Sequence, residues 1–257
     1  MASIKDDRGY NQGFEPSYAL DIRTLRRCDN IIARMKIKTG IEILEIGCGT
    51  GKMSYLLAER TGEKVTGIDI CDIFIEESKA KYLLPNLSYK VLDLTGQKYS
   101  DKETGQGKFD YIVGNGILHH VFRDISALLR TLRSMLKENG KIIFFEPNLF
   151  NPYCFFIFKF PAFRKIARLD PEEMAFSRRF IVEKLSGAGF ADIDVSYKDF
   201  LLPCTPKVLV NPLIMTGSIL EKMPFLKLLA QSLFITASKE PAKEQTRFKS
   251  VTEKSLT

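Results

Sequence analysis

Three glycines, Gly47, Gly49 and Gly51, fall within five positions behind the apolar run of "ILEIGCGTG", and an acid, Glu45, stands just ahead of them. Bare backbone in such a turn takes positive φ, lets a ligand approach closely and turns helix-terminal N–H groups toward an anion. The spacing is G-x-G-x-G rather than the G-x-G-x-x-G of a dinucleotide site. A pyrophosphate carries two negative charges that Glu45 would repel, whereas a cofactor with an ammonium and a sulfonium tolerates the acid. A second acid, Asp69, follows Gly51 by 18 residues and closes the next apolar run. There a carboxylate grips a ribose diol by accepting two hydroxyl hydrogen bonds. A third, Asp93, closes the run after that, placed to accept from an adenine amino group. Each acid alone reads equally as a helix cap or a loop acid. Their shared place at the ends of successive runs points to a site.

The elements that would hold these residues alternate. The spacing of Tyr18, Ile22, Leu25, Ile32 and Met35 predicts a helix over 17–36, capped by Ser17, with Arg23, Arg26, Arg27 and Arg34 on other faces. Short apolar runs at 41–47, 64–69, 87–93, 109–115 and 141–147 predict five strands. Helices follow the first, second and fourth of them, with Asp72 and Asp124 expected as caps and Asn139-Gly140 as a stop signal. Strands apolar on both faces and linked by helices imply a parallel sheet covered on either side, with right-handed crossovers. After Pro147 the pattern changes to an aromatic-rich stretch. It then returns to a helix at 178–190, a sixth strand at 191–201, an apolar insertion at 202–231 and a seventh strand at 232–239. The polar tail, 240–257, is expected to be disordered.

The totals exclude several classes. The 257 residues suit one domain, taken as 1–239, with 1–38 as a helical cover and 148–177 and 202–231 as cap insertions. The five cysteines are scattered without a CxxC pair, so neither a disulfide framework nor a metal site is expected. No apolar run reaches the ~18–20 residues a bilayer span needs, and the first residues do not resemble a signal peptide. A cytoplasmic protein is expected. The net charge of +7 suits an anionic partner or a solvated surface alike.

The ordered motifs "EIGCGTG", "VTGID", "LDL", "FDYIVGNGILHHV" and "LLRTLRSMLKENGKIIFFEPN" resemble the class I S-adenosylmethionine-dependent methyltransferases over residues 40–147, and more loosely over 178–239. The resemblance implies a Rossmann-like α/β fold: a seven-stranded sheet of order 3-2-1-4-5-7-6, the last strand antiparallel, with helices on both faces; the insertions, of which 202–231 exceeds the minimal family core, would add a helical, aromatic cap. It implies S-adenosyl-L-methionine as cofactor. Glu45, Gly47, Cys48, Gly49 and Gly51 would line its methionine and ribose part. Asp69 and Ile70 would hold the ribose and adenine edge, Asp93 and Leu94 the adenine. Asn115 would lie near the amino-acid end or the reacting methyl.

For a hydroxyl acceptor a base can help remove the proton. His119 and His120, the chain's only histidines, follow strand four, where this family keeps substrate-facing residues. His120 is the preferred base and His119 the alternative, with Glu146 a weaker candidate. Aromatics beside bases at 150–168 and the apolar 208–231 suggest a lid over a lipophilic or lipid-linked acceptor, with peripheral membrane contact. Self-packing or an interface between copies would explain them equally. Nucleic acid is not the expected partner: the Asn/Asp-Pro-Pro-aromatic of base-modifying relatives is replaced by "GNGI", and "NPY" at Asn151–Tyr153 comes after the wrong strand. The acceptor is expected to be a small molecule methylated at oxygen. The competing readings are a protein of this fold that binds the cofactor without turning over and, as the enzymatic alternative, a nucleic-acid methyltransferase.

Overall fold

A computed structural model of the chain describes residues 17–94, 105–167, 169 and 172–240. The first sixteen positions of the expected helical cover, residues 95–104, Arg168 and the tail beyond Glu240 lie outside them. Five of the strands sit where apolar runs predict: β1 Glu42–Ile46, β2 Lys64–Asp69, β3 Leu87–Val91, β4 Phe109–Asn115 and β7 Ser232–Lys239. The other two are β5 Leu136–Pro147 and β6 Phe190–Lys198. Their order is β3-β2-β1-β4-β5-β7-β6, parallel through β5, with β7 antiparallel to both neighbours. That is the expected topology. It places the carboxyl ends of β1, β2, β4 and β5 along one edge.

The helices are α1 Tyr18–Ile32, α2 Lys52–Thr61, α3 Asp72–Lys81, α4 Ile125–Met135, α5 Pro152–Lys159, α6 Pro161–Ile166, α7 Arg178–Gly187 and α8 Lys207–Leu220. Helix α4 buries the predicted stripe of Ile125, Leu128, Leu129, Leu132 and Met135 against Ile112, Ile142 and Phe144 of the sheet. A second apolar layer, with Ile31, Ile43, Leu57, Val113 and Phe145, fills the other face. Burying each such side chain stabilises the fold by about 1.5–3 kcal/mol.

Several local expectations fail for identifiable reasons. The helix after β4 stops at Met135, three residues before the predicted end at Glu138, because β5 begins at Leu136 beside Phe109. From there to the next pairing, Tyr111 with Lys141, β4 advances two residues and β5 five. Asn139 does adopt a left-handed φ of 65°, but within that bulge rather than at a helix end. Asp124 makes no side-chain cap, and Asp72, although its Oδ1 accepts from Ile73 N–H at 2.8 Å, is not the N-cap residue. Cys71 holds the N-cap position of α3, and Asp72 lies in the first turn. Strand β3 ends at Val91, so Asp93 stands in the loop beyond it. Strand β6 begins at Phe190 and stops at Lys198, short of the predicted Leu201.

Helix α1 keeps its predicted cap, the Ser17 hydroxyl accepting from Leu20 N–H at 3.1 Å, but it ends at Ile32 and buries a different face. Tyr18 is exposed, while Ala19, Arg23 and Arg27 share the buried side with Thr24, Cys28 and Ile31. Two arginines face inward because the strand ends above the core offer them acceptors. The "NPY" stretch is used structurally: Asn151 caps α5 by accepting from Cys154 N–H at 3.1 Å, and Pro152 opens the helix.

Candidate active site

The turn between β1 and α2 is built on glycines held at positive φ, Gly47 at 63° and Gly51 at 82°. Side chains there have no room. A Cβ on Gly47 would fall 2.4 Å from Ile117 Cδ1, and one on Gly51 would fall 2.7 Å from the Ser78 and Tyr89 hydroxyls. Those hydroxyls tie the turn down, Ser78 donating to the Gly49 carbonyl at 3.1 Å and Tyr89 to that of Gly51 at 3.0 Å. Asp69, at the end of β2, binds the turn from the other side. Its Oδ2 accepts from Gly49 N–H at 2.9 Å and its Oδ1 from Cys71 N–H at 3.0 Å. A carboxylate has about four acceptor positions, so each oxygen keeps one for a ligand hydroxyl. Ile70, beside it, is exposed at the sheet edge, and Leu94 is buried behind Asp93.

Glu45 lies behind this turn rather than in it. It is 2% exposed and accepts from the Ser54 hydroxyl. Burial pushes its carboxyl up to about 8, although the Ser54 hydrogen bond opposes the shift. A neutral Glu45 does not repel a pyrophosphate, so the charge argument drawn from its position loses force. The donor set still disfavours phosphate: Lys52, the base beside the turn, is engaged by Asp21, and the side chain that holds the turn is the Asp69 carboxylate. A nucleoside carrying hydroxyls and positive charge fits these residues.

The second half of the edge is the turn after β4. Glu146, 1% exposed at the end of β5, accepts from the N–H groups of Ile117 at 3.0 Å, Leu118 at 2.7 Å and His119 at 3.2 Å. Its Oε2 also meets His119 Nδ1 at 2.9 Å. An ionised carboxylate only accepts, so it favours the His119 tautomer with its proton on Nδ1, which leaves Nε2 outside this contact. Burial, then the neighbouring His120, pull the His119 imidazole below its usual range, and Glu146 only partly offsets them. Glu146 is thereby an anchor of the turn, fully engaged in place. His120 is the more accessible imidazole, its side chain 17% exposed, with Nδ1 3.1 Å from Glu173 Oε1. Met174 N–H donates to the His119 carbonyl at 3.3 Å and draws the segment carrying Glu173 over the turn. His119, His120 and Glu173 bring ligand atoms within 4.8 Å of one another, a donor set able to hold a divalent cation.

Asn115, at the end of β4, is joined to α1: its Oδ1 accepts from Arg27 at 2.6 Å. Arg27 and Arg23 both donate to Asp199 Oδ2, at 3.2 and 3.0 Å, and to Gln231 Oε1. Asp199 is held at φ 72°, and burial alone would raise its carboxyl. Arg27 and Arg23 outweigh that and keep it below the ordinary range. Burial and Arg23 together lower Arg27 to about 9. Sequence reasoning missed Arg23, Arg27, Asp199, Gln231 and Glu173. The arginines were visible as a cluster on one predicted helix. Their partners lie as far as 208 residues away, beyond any spacing rule.

The profile of a family described as "Methyltransferase domain" matches residues 44–142, from the middle of β1 into β5. Phosphoethanolamine N-methyltransferase 1 of Arabidopsis thaliana is 28% identical over 153 residues, 59% of this chain and 28% of that one. A ubiquinone biosynthesis O-methyltransferase of Pseudomonas syringae pv. tomato is 28% identical over 188 residues, 73% of this chain and 77% of that one. The chain therefore spans about a quarter of the plant protein, and 8% of a Dictyostelium discoideum polyketide synthase that it also matches. Among solved structures, a SAM dependent methyltransferase from Archaeoglobus fulgidus shares the fold with a TM-score of 0.61 at 19% identity, over 90% of this chain and 98% of that one. The sheet order is that of the solved methyltransferase fold, residues 44–142 carry a methyltransferase domain, and these matches support a class I S-adenosylmethionine-dependent methyltransferase.

Proposed function

We propose that the chain transfers the methyl group of S-adenosyl-L-methionine to a small hydrophobic or lipid-linked acceptor, at oxygen, with its cap in peripheral contact with a membrane. The basis is a single edge of the sheet, where the turn held by Asp69 and the turn held by Glu146 stand at the carboxyl ends of neighbouring strands. Ligands of open α/β sheets bind at that edge. The cofactor, when bound, supplies an activated methyl on sulfur, ready for in-line displacement.

The chain's own residues then have distinct tasks. Asp69 accepts from the ribose hydroxyls with the lone pairs its backbone contacts leave. The main chain of Gly47, Cys48, Gly49 and Gly51 follows the ligand closely, with Glu45 behind it. Ile70, Asp93 and Leu94 enclose the adenine, and Asn115, steadied by Arg27, faces the amino-acid end. His120 takes the acceptor's hydroxyl proton, a contribution typically worth ~10²–10⁴-fold. His119 and Glu146 are positioning residues that hold the His120 turn. Aligning the acceptor oxygen, methyl and sulfur and excluding water supplies the rest of the rate.

Two observations favour this acceptor class. One relative is named for oxygen methylation in ubiquinone biosynthesis. The segments flanking the acceptor side, α5–α6 and α8, carry large apolar side chains at their surfaces. The test is transfer of labelled methyl from S-adenosyl-L-methionine to lipid, sugar and phenol extracts. Transfer into the lipid-soluble fraction is expected, lowered ~10²–10⁴-fold in His120→Ala with cofactor affinity unchanged. Tight cofactor binding without transfer to any fraction would sink the enzymatic reading, and unaltered turnover in His120→Ala would remove that base.

A further inference from the structure

Two segments outside the sheet leave their apolar side chains in solvent. On α5 and α6 these include Phe156, Phe163 and Ile166. On α8 and the turn after it they include Val208, Met215 and Phe225. The two segments meet. Asn148 donates to the carbonyls of Leu228 at 2.8 Å and Ala230 at 2.7 Å, and Asn151 donates to that of Leu229 at 2.7 Å. Near this junction Phe150, Tyr153, Leu226 and Leu229 are also exposed. So many large apolar groups on adjoining elements mark an interaction surface rather than scattered exposure.

The charges around them are of one sign. Residues 149–167 contain Lys159, Arg164 and Lys165 and no acid. Residues 205–230 contain Lys207, Lys222 and Lys227 against the single acid Glu221. Glu221 is turned inward, its side chain 13% exposed, accepting from Lys198 at 2.7 Å and Asp199 N–H at 2.8 Å. Every charge these segments give to solvent is therefore positive. A second copy of the chain is a poor occupant, because a two-fold interface would set these lysines against their own images. Aromatic and aliphatic groups bordered by lysines match an interface of acyl chains beneath anionic headgroups.

We propose that α5–α6 and α8 with its following turn form one docking face for an anionic lipid bilayer. This deepens the proposed acceptor class by bringing the enzyme to the phase in which a lipophilic acceptor dissolves. It is read without cofactor or acceptor, so it stands or falls separately from methyl transfer. The full chain is sedimented with phosphatidylcholine vesicles, with and without one-third phosphatidylglycerol. Partition is expected to be strong only with the anionic lipid and to weaken in high salt. Each base near such a surface contributes about fivefold, so K159A/K165A should bind about thirtyfold more weakly. Ile166 and Phe225 are 77% and 83% exposed, so I166S/F225S leaves the core intact. It should lose about a hundredfold, roughly tenfold per apolar group withdrawn from the bilayer. Thermal unfolding of both variants should match the parent. Failure to sediment with either vesicle would overturn the proposal, as would equal binding to both. A dimer by light scattering that I166S/F225S dissolves, without vesicle binding, would assign the face to a second copy instead.

Discussion

The two halves of the site are assembled differently. On the β1–β2 side the contacts are short in sequence: Ser54 to Glu45 over 9 residues, Gly49 to Asp69 over 20, Ser78 to Gly49 over 29. On the β4–β7 side Glu146 reaches its turn over 27–29 residues, but the arginine cluster beside it is long-range: Asn115 to Arg27 over 88, Arg23 to Asp199 over 176, Arg27 to Gln231 over 204. The first half is a local structure that a few strand–turn–helix units complete. The second requires α1, β4, β6 and β7 to have met already. The buried charges follow the same division. Glu45 is neutralised by burial, while Asp199 is kept ionised by two guanidiniums.

The largest expected effect breaks the long-range half. Asp199→Asn keeps a residue that tolerates the left-handed φ but removes the counter-charge that Arg23 and Arg27 share. Loss of one partner of a buried ionic cluster costs about 3–5 kcal/mol, to be read from denaturant unfolding. A cost close to zero would mean that Gln231, Ser232 and Asn115 satisfy the arginines unaided.

A smaller effect of opposite sign is expected in the local half. The Glu45 carboxyl is raised from 4.5 to about 8 in the folded chain, so the folded state holds its proton more tightly than the unfolded. That contribution to stability is whole below pH 4.5 and is lost as pH rises through about 8. Glu45→Gln, which keeps an acceptor for Ser54, should stabilise the ligand-free protein by about 1–3 kcal/mol at neutral pH. The gain should shrink as pH falls toward 4.5. A gain independent of pH would show that Glu45 is not the titrating group.

Glu146→Gln should have the smallest effect on stability and sharpen the division of tasks. Its amide would face a backbone donor at the Ile117–His119 turn, costing about 1–2 kcal/mol. Turnover should fall with little change in cofactor affinity. Equal loss of both would mean the two turns are not separable.

This division also explains what could be read from the chain before folding. The sheet order and the first turn were legible because Gly47, Gly51 and Asp69 obey spacing rules set by one strand and its helix. The inward face of α1 was not. Its apolar spacing pointed to Tyr18 and Ile22, but guanidinium acceptors at Asp199, just past β6, and Gln231, just before β7, decide which side is buried. Asp93 was assigned to a strand end because the apolar pattern of β3 continues past its last ladder contact, Asp69 with Val91. The role of Glu146 as an anchor is likewise invisible in "FFEPN", since its partners at the Ile117–His119 turn are backbone N–H groups, which no residue type signals.

Calorimetric titration of S-adenosyl-L-methionine and, separately, of a nicotinamide dinucleotide into the parent chain and Asp69→Ala tests the central claim most directly. The account predicts binding of the first ligand alone, weakened at least about a hundredfold when Asp69 is removed, as befits loss of two charge-assisted hydrogen bonds. Dinucleotide binding at the same turn, or parental affinity in Asp69→Ala, would contradict it.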